Sequence, residues 1–335
     1  MKFLKDSDAT LEPLQGKTVA VLGYGNQGRA QGLNLRDSGV RVIVGNRDDS
    51  YRQQAIADGF QPMSIRQAAE AGDFLLILTT DECQPVIWNE HIAPGVRTGK
   101  TLVWASGYNV GYGLLPLPSD VDAVMVAPRM TGDMVRILYE RGKGAIAQFA
   151  VHQDASGQAR ERALALCKGM GLTRGGVFES SFREEAELDL FAEQIIWAGL
   201  TAWFVECFEI GVAHGFSPEL MVTELYASGE AAEIFGAMSR NGFFKQMRHH
   251  STTSQYGTLS RGPRFITEEI RKLAREILRR DIKEGAFVKE WTQEQAAGSA
   301  RLEALRRQAM AHPMSLAEDN VIRAIQSAHG LEAGI

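Results

Sequence analysis

Three glycines, Gly23, Gly25 and Gly28, stand in G-x-G-x-x-G spacing, a pattern suited to holding a dinucleotide. Gly23 allows a tight turn, Gly25 lets the backbone approach a pyrophosphate, and Gly28 lets the next helix pack closely on the strand. That helix's N-terminus adds unpaired N–H groups and a favourable dipole. Tyr24, Asn26 and Gln27, between the glycines, are assigned to the cofactor with them. The other candidate chemistry is acidic. Asp189 and Glu193 are four apart in Arg183-Glu-Glu-Ala-Glu-Leu-Asp-Leu-Phe-Ala-Glu-Gln194, hence on one helix face. Like charges at that spacing repel, and no cation on that face is evident from sequence. A Mg²⁺ ion, which prefers oxygen ligands, would relieve the repulsion. A solvated acidic face is the plainer reading of the same run, and periodicity leaves both open. Glu224 has Ser228, not an acid, one turn on, and Glu230 falls on a different face.

The elements around these residues form an alternating pattern. Strand candidates are Val19–Leu22, Val40–Val44, Phe74–Leu78, Leu102–Trp104, Ala123–Ala127 and Ala145–Val151, with helices such as Tyr51–Asp58, Ser64–Ala71 and Pro85–His91 between them. This predicts a Rossmann-type doubly wound α/β sheet with a parallel core, whose ligands sit beyond the carboxyl ends of the strands. Thr80, Asp81 and Gln84 after the third strand, and Gly107 after the fourth, are therefore placed at the cofactor; Arg129 follows the fifth. After the second strand come Asn46 and Arg47, with Ser50 and Arg52 in the same loop. An acid there would bind a ribose hydroxyl, whereas arginine accommodates a 2′-phosphate. NADP is favoured over NAD, although Asp48 and Asp49 pull the other way.

Residues 1–15 read as a polar lead-in, and the domain boundary is set at 182/183. Beyond it, helical patterns run over 183–214, 218–240, 268–284 and 292–310, with no convincing strand, so residues 183–335 should be all-helical. Ile195, Ile196, Trp197, Leu200, Trp203, Phe204 and Phe208 nearly encircle one helix. A helix apolar all round is buried, either in the domain core or, the favoured reading, at a subunit interface.

In 335 residues with 44% apolar and 23% charged content we expect a soluble protein of two domains. A net charge of −5 gives no reason to expect nucleic acid or an anionic membrane as partner. The N-terminus lacks a signal-peptide core, and the uncharged apolar run 195–205 is too short to span a bilayer. Cys83, Cys167 and Cys207 form no metal or disulfide pattern, so a cytoplasmic location is expected.

These residues carry a resemblance. Gly23-Tyr-Gly-Asn-Gln-Gly28, Asn34-Leu-Arg-Asp-Ser-Gly39, Asp81-Glu-Cys-Gln84, Ala127-Pro-Arg129 with Met134-Val-Arg136, Glu184 to Gln194, Ser217-Pro-Glu219, Gly262-Pro-Arg264 and Lys289-Glu-Trp291 resemble the short-chain ketol-acid reductoisomerases over nearly the whole chain. The resemblance implies NADPH, two Mg²⁺ and a 2-hydroxy-2-alkyl-3-oxo acid whose alkyl group migrates before a hydride reduces the resulting 2-oxo acid. It implies that Asp189, Glu193 and Glu224 match acidic metal ligands. It implies that Ser251, in Ser251-Thr-Thr-Ser-Gln-Tyr-Gly257, binds the substrate carboxylate. It further implies a knotted helical domain interlocking two subunits, the partner supplying the residues that match Glu224 and Ser251.

The chain departs from that family at Ser106 where it has His, Arg129 where it has Lys, Ser228 where it has a fourth acid, and Gln255 where it has Glu. Losing a carboxylate weakens the hold on two close metal ions, on which migration depends. Arginine stays charged and suits a planar anion rather than one alkoxide, and serine does not titrate as histidine does. Hydride transfer asks less of the site. The leading expectation is an NAD(P)H-dependent oxidoreductase reducing a small polar 2-oxo acid, ketone or imine without alkyl migration. Arg129 and Ser106 would bind the reacting group, Glu224, Ser228 and Ser251 would line the substrate side, and one metal ion or none would sit on the acids. The alternatives are a true ketol-acid reductoisomerase of branched-chain amino-acid synthesis and a non-catalytic NADP-binding protein.

Overall fold

A computed structural model describes residues 2–328, which divide into two compact units, Met1–Asp189 and Leu190–Ile335. The first unit is built on one sheet. Its strands are β1 (Phe3–Leu4), β2 (Thr18–Leu22), β3 (Arg41–Gly45), β4 (Phe74–Ile77), β5 (Thr101–Trp104), β6 (Asp122–Pro128), β7 (Ala147–Gln153) and β8 (Val177–Glu179). They lie in the order β1-β8-β7-β6-β5-β4-β2-β3. Strands β2 to β6 are mutually parallel, as expected. Both faces of this block are covered. Val19 and Val21 of β2 point into one apolar cluster, and Ala20 and Leu22 into the other, all of them fully buried. That is why β2 reads as a continuous apolar run rather than an alternation.

The sheet extends further than the sequence pattern suggests. Strand β7 runs antiparallel to β6. The supposed boundary segment supplies β8, parallel to β7. The supposed polar lead-in supplies β1, which pairs Phe3 with Phe178 and Leu4 with Val177. Two- and three-residue strands carry too little periodicity to be seen locally; here Phe3 lies over Gly176, where a Cβ would come within 1.8 Å of its ring.

The helices that matter for the cleft are α1 (Asn26–Asp37), α2 (Ser50–Ala57), α3 (Ile65–Ala71), α4 (Gln84–Ile87), α5 (Tyr108–Gly111), α6 (Gly132–Glu140), α7 (Ala159–Gly169) and α8 (Phe182–Phe191). Helix α8 belongs with the sheet because Phe182 is buried against Trp104, ring centres 6.0 Å apart.

Among its described residues the second unit is entirely helical, as expected. The periodicity merged or missed several helices. Thr292–Met310 is two helices broken at Gly298 and Ser299, both in the left-handed region, and Pro313–Ala328 was not anticipated. Short π-helical turns, Ala192–Trp197 and Thr223–Ala227, interrupt the pattern where Glu193 and Glu224 sit, a feature frequent at functional sites. Its buried core is small: a cluster of Phe208, Val222, Met314, Ala317 and Val321, with Leu190, Ile282 and Val288 buried apart from it. Of the seven apolar residues that encircle one helix, only Phe208 is buried, while Ile196, Trp197 and Trp203 are about half exposed. A core within one chain therefore does not account for that helix. By length and composition alone, Phe182–Ala213 is long and apolar enough to cross a membrane; the uncharged run within it, 195–205, stays too short to do so.

Candidate functional site

The glycine turn follows from sterics. Gly23 has φ +97°, and a Cβ there would lie 2.9 Å from the Thr79 nitrogen. At Gly28 a Cβ would lie 1.9 Å from the Gly23 carbonyl oxygen. Only Gly25 faces open space. It is the N-cap of α1 and provides no side-chain cap, so the first turn of the helix is left for an anion.

The residues between the glycines do less than the sequence suggests. Tyr24 is fully buried, and its hydroxyl donates to Asp58 Oδ2 at 3.1 Å. Burial and the Asp58 charge push its phenol well above the ordinary range. Tyr24 thus offers a ligand only its backbone. Asn26 accepts from the Gly132 N–H and donates to Asp133, while Gln27 donates to the Met130 carbonyl. Both side chains tie the glycine turn to the segment after β6.

Beyond β3, Arg52 does not face a phosphate: its guanidinium donates to the carbonyls of Asn46, Pro62 and Met63. Arg47 is exposed beside Asp49, and Ser50 begins α2. Asn46, Arg47 and Asp49 rim a cleft of about 130 Å³ with Gly23, Gly25, Thr79 and Thr80, while Ser50 and Arg52 do not line it. Thr79 Oγ1 is buried there without a hydrogen-bond partner among the described residues. Gln84 is interior. It donates to the Thr79 carbonyl and Asp81 Oδ1 and accepts from Asn109, so it shapes the β4 loop rather than meeting a ligand. Gly107 is likewise set by packing, since a Cβ would lie 2.0 Å from the Phe182 carbonyl.

The acidic helix is the larger surprise. Glu185 is 2% exposed. Its Oε2 accepts the Gly107 N–H at 2.6 Å, and its Oε1 accepts Arg129 Nη1 at 2.6 Å. Arg129 Nη2 pairs with Asp189. A cation is therefore present on that face after all, brought by β6 from sixty positions away. Arg129, expected to bind substrate, is instead held by two carboxylates of α8. Burial pushes the Glu185 carboxyl up to about 7, against the opposing pull of the Gly107 N–H and of Arg129. Sequence reasoning passed over Glu185, although its spacing of four from Asp189 continues the same helix face. Ser106 Oγ sits 3.4 Å from Asp81 Oδ2 and accepts the Tyr108 N–H.

The remaining assigned residues lie in the second unit. Glu193 and Glu224 are on the two π turns. Ser228 ends the second of these, and Ser251 caps the helix Thr252–Arg261 by accepting the Ser254 N–H. Glu224 lines a cavity of about 1000 Å³. Among the described residues no group of three or more His, Cys, Asp or Glu could hold a metal ion.

Residues 13–176 match the family model described as acetohydroxy acid isomeroreductase, NADPH-binding domain, and residues 182–327 the one described as ketol-acid reductoisomerase, C-terminal domain. A ketol-acid reductoisomerase (NADP(+)) of Pyrobaculum islandicum is 42% identical across 94% of this chain and 95% of its own. Its counterpart in Pyrobaculum aerophilum is 42% identical across 93% and 95%. The solved structure of an NADH-preferring ketol-acid reductoisomerase from an uncultured archean is 34% identical, with a TM-score of 0.92 over 96% of this chain and 99% of that one. An NAD-binding semialdehyde dehydrogenase protein from Cupriavidus necator shares the fold alone, at 19% identity and a TM-score of 0.60 over 80% of this chain and 99% of that one. The names of these relatives favour the full isomerising reaction over reduction alone.

Proposed function

The chain belongs to the ketol-acid reductoisomerase family, and on that footing we propose that it is an NADP-dependent oxidoreductase that reduces a small polar 2-oxo acid, ketone or imine without moving an alkyl group. The observation that carries this reading is Arg129 bridging Glu185 and Asp189. A metal ion on Asp189 would have to share that carboxylate with a guanidinium that never loses its charge. The fourth acid is Ser228. The acids of this chain are a poor fit for a pair of divalent ions.

The nucleotide does fit. The uncapped start of α1, the open side of Gly25 and the unpartnered Thr79 hydroxyl suit a pyrophosphate and its sugar. NADPH, when bound, supplies the hydride. The product oxygen or nitrogen then needs a proton, and Glu185 holds one near neutral pH at Oε1 or Oε2. Arg129 and the Gly107 N–H orient that carboxyl, and the Ser106 hydroxyl would hydrogen-bond the reacting group. The family resemblance supports Asp189, Glu193 and Glu224 as acceptors for the substrate and Ser251 as the partner of its carboxylate. The half-exposed apolar helix supports a homodimer in which the partner completes this side, and the family resemblance supports a cytoplasmic setting.

One observation favours the second reading, a full ketol-acid reductoisomerase: identity of 42% to relatives so named, across nearly the whole chain. A matched pair of isomers separates the two. With NADPH and Mg²⁺, reduction alone turns over 3-hydroxy-3-methyl-2-oxobutanoate, whose methyl group has already moved, and leaves 2-acetolactate untouched. Comparable kcat on 2-acetolactate would establish the isomerising reaction instead, and no turnover of either, with NADPH bound, would favour a binding protein.

A further inference from the structure

We propose that Asp49 is a positioning residue for cofactor choice: it holds Arg47 by Nε so that both Nη groups are presented to a 2′-phosphate, and so raises affinity for NADPH over NADH. The inference rests on reading this cleft as the NADP site. Counting charges gives the opposite expectation, because a carboxylate beside a phosphate repels it. Asp49, however, is not a bare charge. Its Oδ1 accepts Asn46 Nδ2 at 2.8 Å and the N–H groups of Tyr51 and Arg52 at 3.0 and 3.2 Å. Its Oδ2 accepts Arg47 Nε at 2.6 Å. Burial pushes this carboxyl up, but Arg47 and the other donors together hold it below the ordinary range.

Arg47 is 79% exposed, and neither Nη group has a partner among the described residues. An exposed arginine loses side-chain freedom when it grips a ligand. A bond at Nε removes part of that loss beforehand and leaves the terminal fork free for a phosphate. Asn46 fixes where the arm stands. Buried at the end of β3, it accepts the Tyr24 N–H from the glycine turn at 2.9 Å and donates to Asp49. An acid at position 46, the usual ribose ligand, would face the Asp49 carboxylate instead of donating to it. The arm is thus registered to the pyrophosphate turn. Family membership does not fix this preference, since relatives carry both NADP and NADH in their descriptions.

The test is calorimetric titration of the full chain and its Asp49→Asn variant with NADPH, NADH, 2′,5′-ADP and 5′-AMP. Asparagine and serine both cap helices as well as aspartate, so Asp49→Ser serves if the first variant fails to fold. NADPH and 2′,5′-ADP should bind roughly two- to fivefold more weakly, in the range of one exposed ion pair, while NADH and 5′-AMP are unchanged. Arg47→Leu should remove the discrimination, and adding Asp49→Asn to it should change nothing more. Unchanged or tighter NADPH binding by Asp49→Asn, in a wild type that prefers NADPH, overturns the role of Asp49 alone. A wild type that binds 2′,5′-ADP no better than 5′-AMP overturns the NADP reading itself.

Discussion

Glu185→Gln lowers kcat on a 2-oxo acid by about a hundredfold to ten-thousandfold, the range for loss of a positioned general acid, and leaves NADPH affinity intact. Glutamine keeps the size of the side chain and still accepts the Gly107 N–H, so cofactor titration and melting temperature serve as controls for the fold. In the wild type, kcat/KM should fall as pH rises through about 7, where Glu185 gives up its proton; the variant should lack that limb. Arg129→Met removes one of the two groups that oppose burial, so its limb should move to higher pH. Stability carries the same signature. The ordinary value of 4.5 is raised to about 7 in the fold. Between those values the unfolded chain has released a proton that the folded chain keeps, so stability declines as pH rises through that window. Glu185→Gln should flatten the decline, which melting curves from pH 4 to 8 would show. An unchanged pH profile and near-normal kcat would leave Glu185 a structural carboxyl only.

Much of the first unit is legible along the chain because its signals are local. β2 is buried on both faces and so reads as an unbroken apolar run, and the glycines after it are demanded by contacts within a few residues or across one strand. What the sequence hides is what long-range packing decides. Glu185 reads as one of many acids in a charged run, and only the crossing of α8 over Gly107 makes it a buried group. Arg129 meets Asp189 because β6 and α8 converge, which no helix-face periodicity can report. Tyr24, Gln84 and Arg52 are polar residues near a cleft, and in each case a nearby protein acceptor claims the side chain first. In the second unit the long apolar helix was visible, but periodicity cannot say whether a core, a partner or a lipid covers it. The departures at Ser106, Arg129 and Ser228 were visible by resemblance, and the structure adds what one of them touches: Arg129 pairs with Asp189, the carboxylate expected to hold a metal.

Two alanine variants of the glycine turn should lose the cofactor for different reasons, and comparing them separates packing from binding. Gly25→Ala adds a Cβ where nothing lies within 4 Å, at φ −75° and ψ −159°, a conformation open to alanine. The gain of about 0.4–1 kcal/mol from restricting the unfolded chain is offset by alanine being a poorer N-cap than glycine. Its melting temperature should therefore stay near the wild-type value. The new methyl group occupies the space through which the pyrophosphate would approach α1, so NADPH should bind about a hundredfold more weakly or worse, about 2.7 kcal/mol. Gly28→Ala adds a Cβ 1.9 Å from the Gly23 carbonyl oxygen. Because that neighbour is backbone, it cannot swing aside. Helix α1 must lift from the turn, at a cost of about 1–3 kcal/mol or more, and both melting temperature and NADPH affinity should fall together. Calorimetric titration beside thermal melts reads both quantities. Full NADPH affinity in a folded Gly25→Ala variant would mean that the ligand does not cross that face of the turn, and the assignment of this cleft to a dinucleotide would fail with it.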